Sequence, residues 1–173
     1  MTLHSELVHD ESEALNFEDL KRMLTGRVKN VKAGFVDLEE NKDWSMRKLL
    51  PSSRNATFVL MTAKVTGRTQ RHWGVLIRNH FGFQFFESLG FGYKTIKQII
   101  TTPQFVDFLV GHRFKGTTHK LQRGLSKIRT CGLHCIVRLV KYDLNNNQYA
   151  HWLKSAGSPD RIVAMLCYIG HRT

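Results

Sequence analysis

Three residues far apart in the chain have the types needed for nucleophilic acyl transfer: Cys131, His72 and Glu87. A cysteine nucleophile needs a thiolate, a base to take the thiol proton, and a group to orient that base. Cys131 stands where the longest helical pattern begins, so the helix dipole and free first-turn N–H groups favour a negative sulfur there. The same N–H groups could receive an oxyanion, and Gly132 next to it would let a substrate backbone approach closely. His72 opens a strand after a turn, and Glu87 ends the neighbouring strand. A hairpin closed by residues 79–82 would set residue 72 almost opposite residue 87, where the carboxylate could orient the imidazole. The plainer alternatives are a buried core thiol for Cys131 and an ordinary ion pair for Glu87.

These positions require a particular set of elements. Asn16 with Asp19 resembles a capping box opening a short amphipathic helix through Leu20, Met23 and Leu24. Residues 26–55 show no clear periodicity, with Gly34-Phe35-Val36 and the Pro51-Ser52-Ser53 turn as punctuation. Ala56–Val65 reads as a buried strand, 67–70 as a turn, and 72–78 and 83–88 as further strands of an antiparallel meander. Helices are expected over 94–100 and 103–110, a short strand over 117–121, and a long helix over 131–144. Pro159–Tyr168, capped by Ser158, would form the last helix, while Asn145-Asn146-Asn147 reads as a helix terminus. Strands in the middle with helices elsewhere give the α+β class. The expected division is an acidic, flexible lead over 1–15 and one domain over 16–173.

Composition narrows the function. The 173 residues hold 26 Lys plus Arg against 14 Asp plus Glu, a net charge of +12, with 42% hydrophobic residues. That is enough apolar material for a core, which excludes a disordered basic tail, a collagen and a disulfide-framed toxin. The first 20 residues contain six acids and no Lys or Arg, and only four acids follow Trp44: Glu87, Asp107, Asp143 and Asp160. So basic a body should attract polyanions through counterion release. Lys115, Lys120, Arg123, Lys127 and Arg129 crowd the approach to Cys131, as a nucleic-acid-binding cluster or as a solvated loop. Three cysteines, two of them four apart, make a poor disulfide framework and suggest a reducing compartment. No stretch approaches the roughly 20 apolar residues of a membrane span, and the acidic start is not a signal peptide. Cys131, His134 and Cys135 share a helical face, but a structural zinc would need a fourth ligand such as Cys167 or a distant histidine, and no metal is expected.

In order along the chain, His72-Trp73, then Phe86-Glu87-Ser88-Leu89-Gly90-Phe91-Gly92, then Cys131-Gly132-Leu133-His134-Cys135, resemble the adenain-like viral cysteine proteases. That family comprises the adenovirus maturation protease and its relatives in Maverick/Polinton elements, adintoviruses and virophages. The resemblance runs from about Asn16 to about Asn146 and includes a Gly-Phe, here Gly34-Phe35, before the meander. More distantly, the His-Trp, acid, Cys-Gly order is shared by proteases of ubiquitin-like modifiers.

The resemblance implies a papain-like fold in circularly permuted His-Glu-Cys order, with a central antiparallel sheet flanked by helices. It makes Cys131 the nucleophile, His72 the base and then acid, and Glu87 its orienter. The backbone of Cys131 and Trp73 would lie at the oxyanion hole. The family's oxyanion glutamine has one nearby candidate, Gln122. It lies nine residues before Cys131, two further than in the family pattern, a gap that a short insertion over 123–130 would reconcile. The family is stimulated by DNA and by a viral peptide that forms a disulfide between the acid and the nucleophile. No cysteine lies between Glu87 and Cys131, so DNA is the expected activator, and a peptide could add only as an unlinked strand. The implied activity is a thiol endopeptidase that processes capsid or core precursors in the virion, host nucleus or viral factory. It would act as a monomer without membrane attachment and prefer small residues, notably glycine, at the cut. The competing expectations are a protease of ubiquitin-like conjugates and a non-catalytic DNA-binding virion protein on a protease scaffold.

Overall fold

Buried positions run almost without break through residues 56–63, and a strand so apolar on both faces must be covered on both. The computed structural model describes residues 15–28, 30–123 and 130–168, and it meets that requirement with a four-stranded sheet between two helical layers. The strands are β1 (Ala33–Asp37), β2 (Ala56–Val65), β3 (Arg68–Asn79) and β4 (Gly82–Glu87), side by side in chain order. The described helices are α1 (Phe17–Arg27), α2 (Met46–Leu49), α3 (Tyr93–Ile99), α4 (Gln104–Gly111), α5 (Cys131–Val140), α6 (Asn146–Ala156) and α7 (Pro159–Tyr168).

β2 and β3 form a long antiparallel hairpin turned on Thr66 and Gly67, both at positive φ (49° and 73°), as a two-residue turn matching strand twist requires. β3 and β4 turn on His80 and Phe81, with Asn79 pairing Gly82. β1 corrects the expectation of a purely antiparallel sheet, because it pairs parallel to β2 from Ala33↔Ala56 to Asp37↔Leu60. Gly34 is therefore a strand residue rather than punctuation. The Arg54 guanidinium, the flexible end of a long side chain, lies over it, 2.3 Å from where a Cβ would sit.

One face of the sheet, through Phe58, Leu60, Trp73, Val75 and Phe86, packs on α1, α5, α6 and α7. The other, through Val59, Met61, Leu76 and Phe85, packs on α2, α3 and α4. Helix α5 is the central element, buried from Cys131 to Leu139. It stops at Val140, short of the expected 144, and α6 follows as an unforeseen helix. Its cap is Asn145, whose side chain accepts from Gln148 N–H while the Gln148 side chain accepts from Asn145 N–H. The three asparagines thus open a helix.

The expected strand over 117–121 is absent. This segment runs beside β4 with one bridge, Gln84↔Lys115. Thereafter it bonds through a side chain, Thr117 Oγ1 accepting from Glu87 N–H and donating to Phe85 O, both at 3.1 Å. The capping box at Asn16 forms as read. Residues 1–14 of the acidic lead lie outside the described residues, whereas Leu15 packs on the core and accepts a hydrogen bond from Trp73 Nε1.

Candidate active site

The site begins at the open end of the β3–β4 hairpin. β4 stops at Glu87, which opposes Gly74, so His72 lies two residues further along β3 with no β4 partner beside it. The pairing is diagonal rather than directly opposite, because the turn takes only His80 and Phe81. Residues 72, 74 and 87 nevertheless share one sheet face, since side chains alternate along a strand. His72 Nε2 lies 3.0 Å from Glu87 Oε2, with both residues buried.

The carboxylate is held from its far side too. Leu89 N–H donates to Oε2 at 2.9 Å and Phe91 N–H to Oε1 at 2.6 Å. The turn that brings these amides back needs Gly90, which has φ 69° and lies where a Cβ would sit 2.5 Å from the His119–Lys120 backbone. Apolar side chains of Met61, Ala63, Leu89, Ile96 and Ile100 line a cleft against this His–Glu pair.

Cys131 enters from the opposite layer, at the N-terminus of α5, and meets His72 where β3 is unpaired. With Nε2 on Glu87, the imidazole has Nδ1 left for the sulfur, and Nδ1 is buried with no completed hydrogen bond in the resting geometry. The two groups are coupled electrostatically. Burial alone would lower the His72 pKa, but interaction with Cys131 and Glu87 outweighs it and raises the imidazole well above its ordinary 6.5. Burial alone would raise the Cys131 thiol. His72, and then the backbone N–H groups of Trp73 and Gly132, outweigh that and bring it below its ordinary 9.0. Cys135 and Cys167 are buried as well, but burial raises both, Cys167 to about 12. Of the three cysteines, Cys131 is the one whose surroundings favour the thiolate.

Gly132 also has a packing reason. A Cβ there would lie 3.0 Å from Leu20 Cδ2 and 3.4 Å from Trp73 Cδ1, so the glycine lets α5 pack on α1 and β3. Gln122 is buried beside the acid: its N–H donates to Ser88 O and its Oε1 accepts from Ser88 Oγ at 2.7 Å. Of the basic cluster, Lys115, Lys120 and Arg123 are exposed, and Arg123 is partly committed, with its Nε 3.3 Å from Asp160. Lys127 and Arg129 lie outside the described residues.

Two features were not anticipated. Thr117 supports the Glu87 backbone, as described above. Behind Cys131, His134 Nε2 lies 3.0 Å from Asp160 Oδ1, and the same oxygen accepts from Thr130 Oγ1. The spacing of Cys131 and His134, and the scarcity of acids after Trp44, were the available signals. Among the described residues no group of three or more His, Cys, Asp or Glu could hold a metal ion, and no helix is long and apolar enough to cross a membrane. A scan of protein-family models and a comparison with curated proteins found no match to this chain. What the site offers is its own geometry: a buried thiol and a buried carboxylate, both coupled to one buried imidazole.

Proposed function

We propose that this chain is a viral cysteine endopeptidase that cuts virion precursor proteins during particle maturation, stimulated by DNA. Its fold would be papain-like in permuted His-Glu-Cys order, as in the adenain-like proteases. The observation that carries the reading is His72, bonded through one nitrogen to Glu87 and coupled through the other to Cys131.

In this mechanism the Cys131 thiolate attacks the scissile carbonyl carbon and forms the C–S bond. The first-turn amides of α5 and the Trp73 N–H are the donors nearest the developing negative charge. The imidazolium of His72 gives its proton to the leaving amine as the C–N bond breaks. Neutral His72 then takes a proton from water, whose oxygen attacks the thioester and releases the acid and the thiolate. Glu87 holds the imidazole and favours its charged form. Precursors packed with nucleic acid would be reached through the basic body, with exposed Lys115, Lys120 and Arg123 among its cations. The sites of action would be the virion, a viral factory or the host nucleus.

The test incubates candidate capsid and core precursors with wild-type and Cys131→Ala protein, with and without DNA at low salt. Cleavage by the wild type alone, faster with DNA, is the expected result. Cleavage that persists in the variant overturns the nucleophile assignment, and rates indifferent to DNA overturn the activator. Cleavage of ubiquitin-like conjugates but of no precursor moves the enzyme to the modifier proteases. Salt-sensitive DNA binding without any hydrolysis leaves a non-catalytic binder.

A further inference from the structure

The N-caps of α1, α2, α5 and α6 are polar residues, and they divide into two kinds. Asn16, Ser45 and Asn145 have extended backbone, and each side chain accepts from the amide three residues on. This is how a polar residue ordinarily satisfies first-turn donors. Thr130, the N-cap of α5, has the right side chain but φ −90° and ψ 7°, and caps nothing. Its hydroxyl donates instead to Asp160 Oδ1 in the first turn of α7. Asp160 is buried and carries further donors: His134 Nε2 on Oδ1 at 3.0 Å, and Arg123 N–H on Oδ2 at 2.9 Å. One carboxylate thus fixes the residue before the nucleophile, the histidine one turn after it, and Arg123.

Resting on the enzymatic reading above, we propose that Asp160 is a positioning residue: by drawing the Thr130 side chain toward α7, it holds Oγ1 off the first turn of α5 and leaves the amides of Gly132 and Leu133 to the sulfur and the oxyanion. A cap at Thr130 would consume one of those two amides, since N-cap oxygens accept from the second or third helical N–H. The Gly132 amide is one of those that favour the Cys131 thiolate. Without Asp160, the released hydroxyl can turn to accept from that amide or from its neighbour, the ordinary N-cap bond.

The test measures the alkylation rate of Cys131 by iodoacetamide across pH, which reads the thiol pKa without requiring peptidase activity. Cys135 and Cys167, buried and with raised pKa, are monitored by peptide mapping. Asp160→Ala is expected to raise the thiol pKa and slow alkylation at neutral pH by about tenfold, as one pKa unit implies. Adding Thr130→Val to Asp160→Ala removes the competing hydroxyl and is expected to recover most of that loss. Asp160→Asn keeps an acceptor for Thr130 and should retain more reactivity than Asp160→Ala. Thr130→Asn, with Asp160 intact, introduces a strong cap and should slow alkylation, which tests the claim even where Asp160→Ala does not fold. A double variant no faster than Asp160→Ala, or Thr130→Asn as reactive as wild type, overturns the proposal. Wild-type thiol that alkylates with the expected pKa but cleaves no precursor defeats the proposed function alone and leaves the positioning role standing.

Discussion

At the C-terminal end of α5 the buried Arg138 guanidinium finds four acceptors, whereas at the N-terminal end two buried imidazole nitrogens find none. Arg138 donates to Asn146 Oδ1, Lys141 O, Gln84 Oε1 and Leu144 O, and stacks on Tyr149 at 5.4 Å. Burial lowers its pKa to about 10, yet it remains charged at neutral pH without a carboxylate partner. Two of those acceptors are carbonyls just past the end of α5, where helices leave such groups unsatisfied and the dipole favours a cation. One turn before Arg138 on the same helix, His134 Nδ1 is left without a hydrogen bond, and so is His72 Nδ1 on β3. A buried polar group ordinarily finds its partner. The contrast separates a satisfied cluster that holds the fold from an incompletely satisfied one, which the proposed function would use for a proton and a substrate.

The sharpest way to break that contrast is Cys131→Ala. Peptide hydrolysis is expected to fall at least about 10⁴-fold, as for removal of a nucleophile in a coupled unit. The variant should still fold cooperatively, because Cys131 is a small side chain, and its stability loss should be smaller than that of Arg138→Met. A kinetic assay beside a urea titration checks both halves, and substantial residual turnover would sink the assignment.

Arg138→Met should give the reverse. It removes the donors to buried carbonyls and amides, and a destabilisation of about 3–5 kcal/mol is expected. Turnover per folded molecule should remain close to wild type. If turnover falls sharply while the fold persists, the two ends of α5 are coupled, and their division into structure and chemistry is wrong.

Glu87→Gln lies between these extremes. The amide keeps one oxygen for either His72 or the returning Leu89 and Phe91 N–H groups, but cannot stabilise an imidazolium as a carboxylate does. A loss of about 10²-fold in kcat, with a smaller change in KM, is expected from general acid–base contributions of this size. Equal losses from Glu87→Gln and from a distant surface change would remove Glu87 from the mechanism.

Much of this site was legible because its residues punctuate strong patterns. Ala56–Val65 declared itself by its richness in β-formers, and the capping box at Asn16 by its spacing. Cys131 stood at the head of the longest helical pattern. What stayed hidden depended on contacts rather than on local pattern. β1 is a five-residue strand whose parallel partner lies across the α2 crossover, and its glycine fits beneath Arg54. Helix α6 was obscured because its face to the core is narrow, with Tyr149, Ala150 and Leu153 buried among polar neighbours. The exact hairpin register turned on whether two or four residues make the turn at His80. Asp160 carried no local signature at all, since its three partners come from residues 123, 130 and 134.

The smallest effect expected is a pH dependence that only the N-terminal end should show. Cys131 has a folded pKa below 9.0, so its contribution to stability is present above that value and is lost as pH falls through the lowered one. His72 is raised above 6.5, so its contribution is complete below 6.5 and is lost as pH rises toward about 10. The pair is therefore strongest between the lowered thiol value and the raised imidazole value. The stability difference between wild type and Cys131→Ala, from urea titrations, should peak in that window and shrink on both sides. Its size scales as about 1.4 kcal/mol for each tenfold change in proton affinity. Arg138→Met, compared with wild type over the same pH range below 9, should show a constant difference, because Arg138 does not change charge there. A flat profile for the cysteine variant would mean that thiol and imidazole are neutral in the resting protein, and that the thiolate forms only when substrate arrives.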